Sequence, residues 1–116
     1  MAETTILYIS KEQENIIDFL DYIAKRVKGE CSVYTYHRDK NILEIDNIRI
    51  AGKNIYGNYL GTGYGYCLYY CFSSKFSKST YNTKRENEAL RQILMHTREG
   101  AKEISELEIL HMLGLV

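Results

Sequence analysis

The chain has 116 residues and carries 15 Lys and Arg against 15 Asp and Glu, a net charge of zero. That length makes one domain, and 45% hydrophobic with 26% charged residues is the make-up of a folded globule, not of a disordered tail. Zero net charge excludes a wholesale polyanion binder, so any charge-driven binding must come from a local patch.

The start, Met1-Ala-Glu-Thr-Thr, lacks the basic lead and apolar run of a signal peptide, so a cytoplasmic location is expected. Residues 5–9, Thr-Ile-Leu-Tyr-Ile, read as a short buried strand. Ser10 with Gln13 forms a capping box, the device by which a helix start satisfies orphan amides. Ile16, Ile17, Leu20, Ile23, Ala24 and Val27 then recur at helical spacing, which predicts a helix over 11–28 stopped by Gly29. Asp21 and Lys25 stand one turn apart on its polar side.

Residues 31–37 are largely β-branched or aromatic and predict a strand. Arg38-Asp39-Lys40-Asn41 is a turn cluster. The apolar phase of Leu43 and Ile45 flips at Asp46-Asn47 to Ile48 and Ile50. A period-two strand cannot do this without a turn, so strands are expected at 42–46 and 48–51. Ala51-Gly52-Lys53-Asn54 reads as the next turn.

The uncharged stretch 57–74 is too rich in Gly, Asn, Thr, Ser and Tyr for a membrane span. Its alternation predicts a strand with an aromatic face (Tyr64, Tyr66, Tyr70, Phe72) and a face of Gly61, Gly63, Gly65, Cys67 and Cys71. The glycine stripe implies close packing or a bend. Cys67 and Cys71 lie too far apart along an extended strand to bond, and together with Cys31 they fit no zinc spacing; all three are expected as small core residues.

Residues 73–82 read as a polar, basic loop. Thr83 with Glu86 is a second capping box. It opens a predicted helix over 84–99, with Ala89, Leu90, Ile93, Leu94 and Thr97 as its apolar stripe and Gly100 as its stop. Ser105 with Glu108 is a third, opening a short helix over 105–113 before Gly114. The order strand, helix, four-strand meander, helix, helix predicts an α+β fold, with an antiparallel sheet and its helices packed on one face.

Most motif matches have plain readings. Gly61-Thr-Gly-Tyr-Gly lacks the following helix that a phosphate-binding glycine loop needs. His37-Arg38-Asp39 matches part of a kinase loop in a chain far too short for a kinase. Asp39, Glu44 and Asp46 suit either a divalent ion or the solvated face of a hairpin, and the hairpin is the simpler reading. The three His, at 37, 96 and 111, have no metal-ligand spacing, and Cys31 would be a nucleophile only with a His beside it. No cofactor is expected.

The strongest signal is charge asymmetry. Residues 75–98 carry six cations (Lys75, Lys78, Lys84, Arg85, Arg91, Arg98) against Glu86 and Glu88, while the two ends of the chain are acidic. Lys84 and Arg85 fall in the first turn of a predicted helix, where the macrodipole disfavours cations. A local conflict of that kind often marks function. Free amides, two cations and the hydroxyls of Ser79, Thr80 and Thr83 are expected to make a phosphate cradle there. Lys75, Lys78 and Arg91 extend the charge, and Tyr70 and Tyr81 offer rings for stacking. The expected function is therefore nucleic-acid binding. The alternative is a protein-interaction or inhibitor module. It rests on the apolar tail Leu113-Gly114-Leu115-Val116 and the tyrosine surplus, which also suggest a homodimer. A metal-dependent nuclease comes third.

Overall fold

A computed structural model describes residues 4–28, 34–56, 67–74, 83–95 and 97–116. Among the described residues, six strands and three helices follow in chain order: β1 (Thr4–Ser10), α1 (Gln13–Lys28), β2 (Tyr34–His37), a 3₁₀ turn (Arg38–Lys40), β3 (Ile42–Ile45), β4 (Ile48–Asn54), β5 (Cys67–Phe72), α2 (Lys84–Leu94), β6 (Thr97–Glu103) and α3 (Glu106–Met112). The fold is α+β with one six-stranded sheet in the order β2-β3-β4-β1-β5-β6.

The sheet is mixed, which corrects the expectation of a purely antiparallel one. β2, β3 and β4 form the expected antiparallel meander. β1, however, inserts parallel to both β4 and β5, and β6 adds parallel to β5. The chain steps from β1 to β4 in one direction along the sheet and from β5 to β6 in the other. Right-handed crossovers running in opposite directions put their helices on opposite faces. The helices therefore lie on both faces of the sheet, which corrects the expectation that they pack on one. Ile6 and Tyr8 of β1 pack with Ile16, Leu20 and Ile23 of α1 and Ile109 of α3. Leu7 and Ile9 pack with Ile55, Cys67 and Ile93 of α2. β1 is buried on both faces, as a central parallel strand must be, and its near-continuous apolar run follows from that.

Several boundaries differ from the sequence reading. Ala51-Gly52-Lys53-Asn54 is strand, not turn, paired with Leu7 through Ser10. Gly52 is there because α1 comes down on it: a β-carbon at that position would overlap Ile16 Cγ2. α2 ends at Leu94, not 99, and Thr97–Glu103 is an edge strand in which Gly100 takes a positive φ of 81°. The pairing of β5 with β6 shifts between Cys67↔Thr97 and Tyr69↔Lys102, so β6 bulges. Cys67 and Cys71 are buried and free, as expected, but they lie in the two different core clusters and so not on one face.

The local signals fare better. The hairpin turns at Asp46-Asn47, with Asp46 at φ 51° and Ile45 opposite Ile48. Asn41 closes the 3₁₀ turn in a left-handed conformation. Both C-terminal capping boxes form, Thr83 with Glu86 and Ser105 with Glu108. The first does not: Ser10 Oγ accepts the Glu12 amide and the Asn15 side chain, while the Gln13 carboxamide bonds Asn41 instead. The apolar tail docks on its own chain. Leu113 and Leu115 pack against the α1-side core, and Arg26 donates to the Leu115 carbonyl. Cys31, Gly61, Gly63 and Gly65 lie outside the described residues. Among the described residues no helix is long and apolar enough to cross a membrane.

Candidate functional site

The strand order makes one place special. β1 and β5 are neighbours, yet the chain leaves β1 toward α1 on one face and leaves β5 toward α2 on the other. In open sheets with parallel strands, the crevice outside the carboxyl ends of such a pair is where ligands bind. Lys11-Glu12 leaves β1 at this crevice, and α2 begins at Lys84. Of the basic stretch singled out from sequence, the part described here is the start of α2; residues 75–82 lie outside the described residues.

Thr83 caps α2 in an extended conformation; its hydroxyl accepts the Glu86 amide at 3.1 Å. The Glu86 carboxylate returns the contact by accepting the Thr83 amide at 3.0 Å. Two further groups converge on Glu86: the Tyr56 hydroxyl donates at 2.7 Å, and the Lys11 ammonium stands 3.2 Å away. The Thr83 amide first, then the Tyr56 hydroxyl, holds the Glu86 carboxyl far down, at about 2. The same hydrogen bond pushes the Tyr56 phenol up. Glu86 is therefore ionised and compensated, and it fastens the carboxyl ends of β1 and β4 to the start of α2.

Lys84 and Arg85 are exposed and make no ion pair among the described residues. Arg85 sits close enough to Tyr56 to bias its titration. Arg91 lies two turns along the helix, its guanidinium held by Glu88 at 2.7 and 3.1 Å. Tyr70 is half-buried against the α2-side core, its ring edge-on to that of Phe72 with centroids 6.0 Å apart. Lys75, Lys78 and Tyr81 lie outside the described residues.

Two residues escaped the sequence reading. Tyr56 is 64% exposed at the end of β4, and Lys11 follows β1. Only the parallel pairing of β1 with β4, and the return of α2 across the sheet, brings them to Glu86.

The hairpin acids do not gather. Glu44 accepts from Arg49 across the β3–β4 pair at 2.9 Å, and among the described residues no group of three or more His, Cys, Asp or Glu converges as a metal site would.

On the α1 face of the same sheet edge lies a groove of about 200 Å³ lined by Tyr8, Asn15, Asp18, Phe19, Ser73, Ser74 and Glu106. The Tyr8 hydroxyl donates to Glu106, and the Tyr8 ring stacks on Phe19 with centroids 4.4 Å apart. Burial first, then the Glu106 carboxylate, raises the Tyr8 phenol far above its ordinary value, so it stays a neutral donor.

In comparisons by sequence and by structure, no family model, no curated protein and no solved structure matches this chain.

Proposed function

We propose that this protein binds nucleic acid through its phosphates at the carboxyl edge of the sheet, using Lys84 and Arg85 with the amides of the α2 start. The observation that carries the reading is the coincidence of three features at one edge. It combines a topological switch point between β1 and β5, a helix N-terminus, and two exposed cations at positions where the dipole disfavours them. Lys75 and Lys78, which precede α2 in the sequence and lie outside the described residues, supply two further cations in this proposal. Tyr56 adds a ring for stacking, because its hydroxyl is tethered to Glu86 while its ring stays open. Lys11 offsets Glu86, whose charge would otherwise repel a phosphate.

Contacts to four phosphates give binding to duplex DNA that falls with salt at a log–log slope of about −3.6, at roughly 0.9 per contact. Filter binding of random-sequence DNA and RNA across a salt series measures this. A slope near zero, or no retention of either nucleic acid at low salt, contradicts the reading. The homodimer remains a proposal with less behind it, since Leu113 and Leu115 are already covered by their own chain.

A further inference from the structure

We propose a second site, independent of the phosphate-binding edge: the groove between α1, the end of β5 and the start of α3 binds a small organic cation, an alkylammonium or alkylguanidinium. Its position is the first reason. It opens at the carboxyl end of β5, beside the switch-point pair, but on the α1 face, so the sheet separates it from α2. Its chemistry is the second. Four different segments supply its walls. They bring two carboxylates (Asp18 and Glu106), the hydroxyls of Ser73 and Ser74, an amide (Asn15) and an aromatic floor (Phe19 on Tyr8), with no Lys, Arg or His among the described lining residues. An anion would meet two carboxylates, whereas an ammonium or guanidinium finds acceptors on several sides and ring carbons for its alkyl stem.

The third reason is that the wall is set in advance. Tyr8 is 1% exposed and its hydroxyl donates to Glu106, which fixes the carboxylate at the groove with an oxygen to spare. Ser73 is held by its amide, which donates to the Ile9 carbonyl at 2.8 Å. A charged ligand gains most from acceptors that need no rearrangement on binding. Asp18, by contrast, is exposed on α1, so removing its charge leaves the fold intact.

The test is calorimetric titration of the full chain with agmatine and with putrescine, and with 1-butanol as the uncharged control. The result expected is saturable binding of at least one cation, no binding of butanol, and amide shift changes in labelled protein that map to Ser73, Ser74 and Asn15. Asp18→Asn should weaken binding about tenfold with an unchanged melting temperature in the absence of ligand. Glu106→Gln, which keeps an acceptor for Tyr8, should weaken it by a similar factor. The proposal is overturned by the absence of saturable cation binding at millimolar concentration. It is equally overturned by binding that Asp18→Asn leaves unchanged, or by shift changes confined to other surfaces. Loss of nucleic-acid binding in a Lys84 or Arg85 variant leaves this titration unaffected, so the two sites stand or fall separately.

Discussion

Gly52 occupies the middle of a paired strand, where glycine ordinarily weakens the sheet, because Ile16 of α1 fills the space above it. Gly52→Ala should cost about 1–3 kcal/mol by overpacking. Ile16→Ala removes the clashing Cγ2, so in urea unfolding the double variant should lose clearly less than the sum of the two singles. Strict additivity would show that the contact does not set the approach of α1.

Glu86 makes a second residue-scale prediction. Its folded carboxyl lies at about 2, below the ordinary 4.5. A depressed carboxyl adds stability that is complete above the unfolded value and is lost as pH falls through the folded one. The fastening of α2 should therefore persist to pH 4 and fail only toward about 2. In a carbon-detected titration, Tyr56→Phe should move the Glu86 midpoint part of the way back up, since the Thr83 amide remains. An unmoved midpoint would remove Tyr56 from the network.

At the scale of elements, α2 is held by little. Ile93 is its single buried residue, with Ala89, Leu90 and Leu94 half-buried around it. Ile93→Ala should destabilise the protein by about 2–5 kcal/mol, measured by chemical denaturation. A loss under 1 kcal/mol would mean that the half-buried neighbours carry the docking. The caps of α2 and α3 were legible because a capping box is a four-residue signal whose partners are all local. β6 was not. Thr97-Arg-Glu-Gly-Ala-Lys-Glu has no alternating apolar face, and it is a strand because β5 offers it an edge to pair with. The Thr97 hydroxyl donates to the Leu94 carbonyl at 2.5 Å, ending α2 three residues before the helical stripe does. The same override turns Ala51–Asn54 from turn into strand: pairing with β1 on one side and contact with Ile16 decide it.

At the scale of the molecule, the sequence shows α+β but not the insertion of β1 between β4 and β5, because no local signal states which distant strands pair. That insertion separates the helices onto two faces and sets the start of α2 beside a switch point. The cations of the site were legible from charge and from their conflict with the helix dipole. Tyr56 and Lys11 were not, because they reach Glu86 only through the tertiary fold.

On the proposed reading, Lys84 and Arg85 serve a ligand at some expense to the helix they open. The most direct measurement is a paired one on the wild type and the Lys84→Glu, Arg85→Glu double variant: thermal melts beside filter binding of DNA and RNA at low salt. Replacing cations by anions in the first turn should stabilise α2 by a few tenths to about 1 kcal/mol per site. The same change should abolish retention of nucleic acid, so stability and binding move in opposite directions. Binding that persists in the double variant, or that is absent from the wild type, contradicts the account.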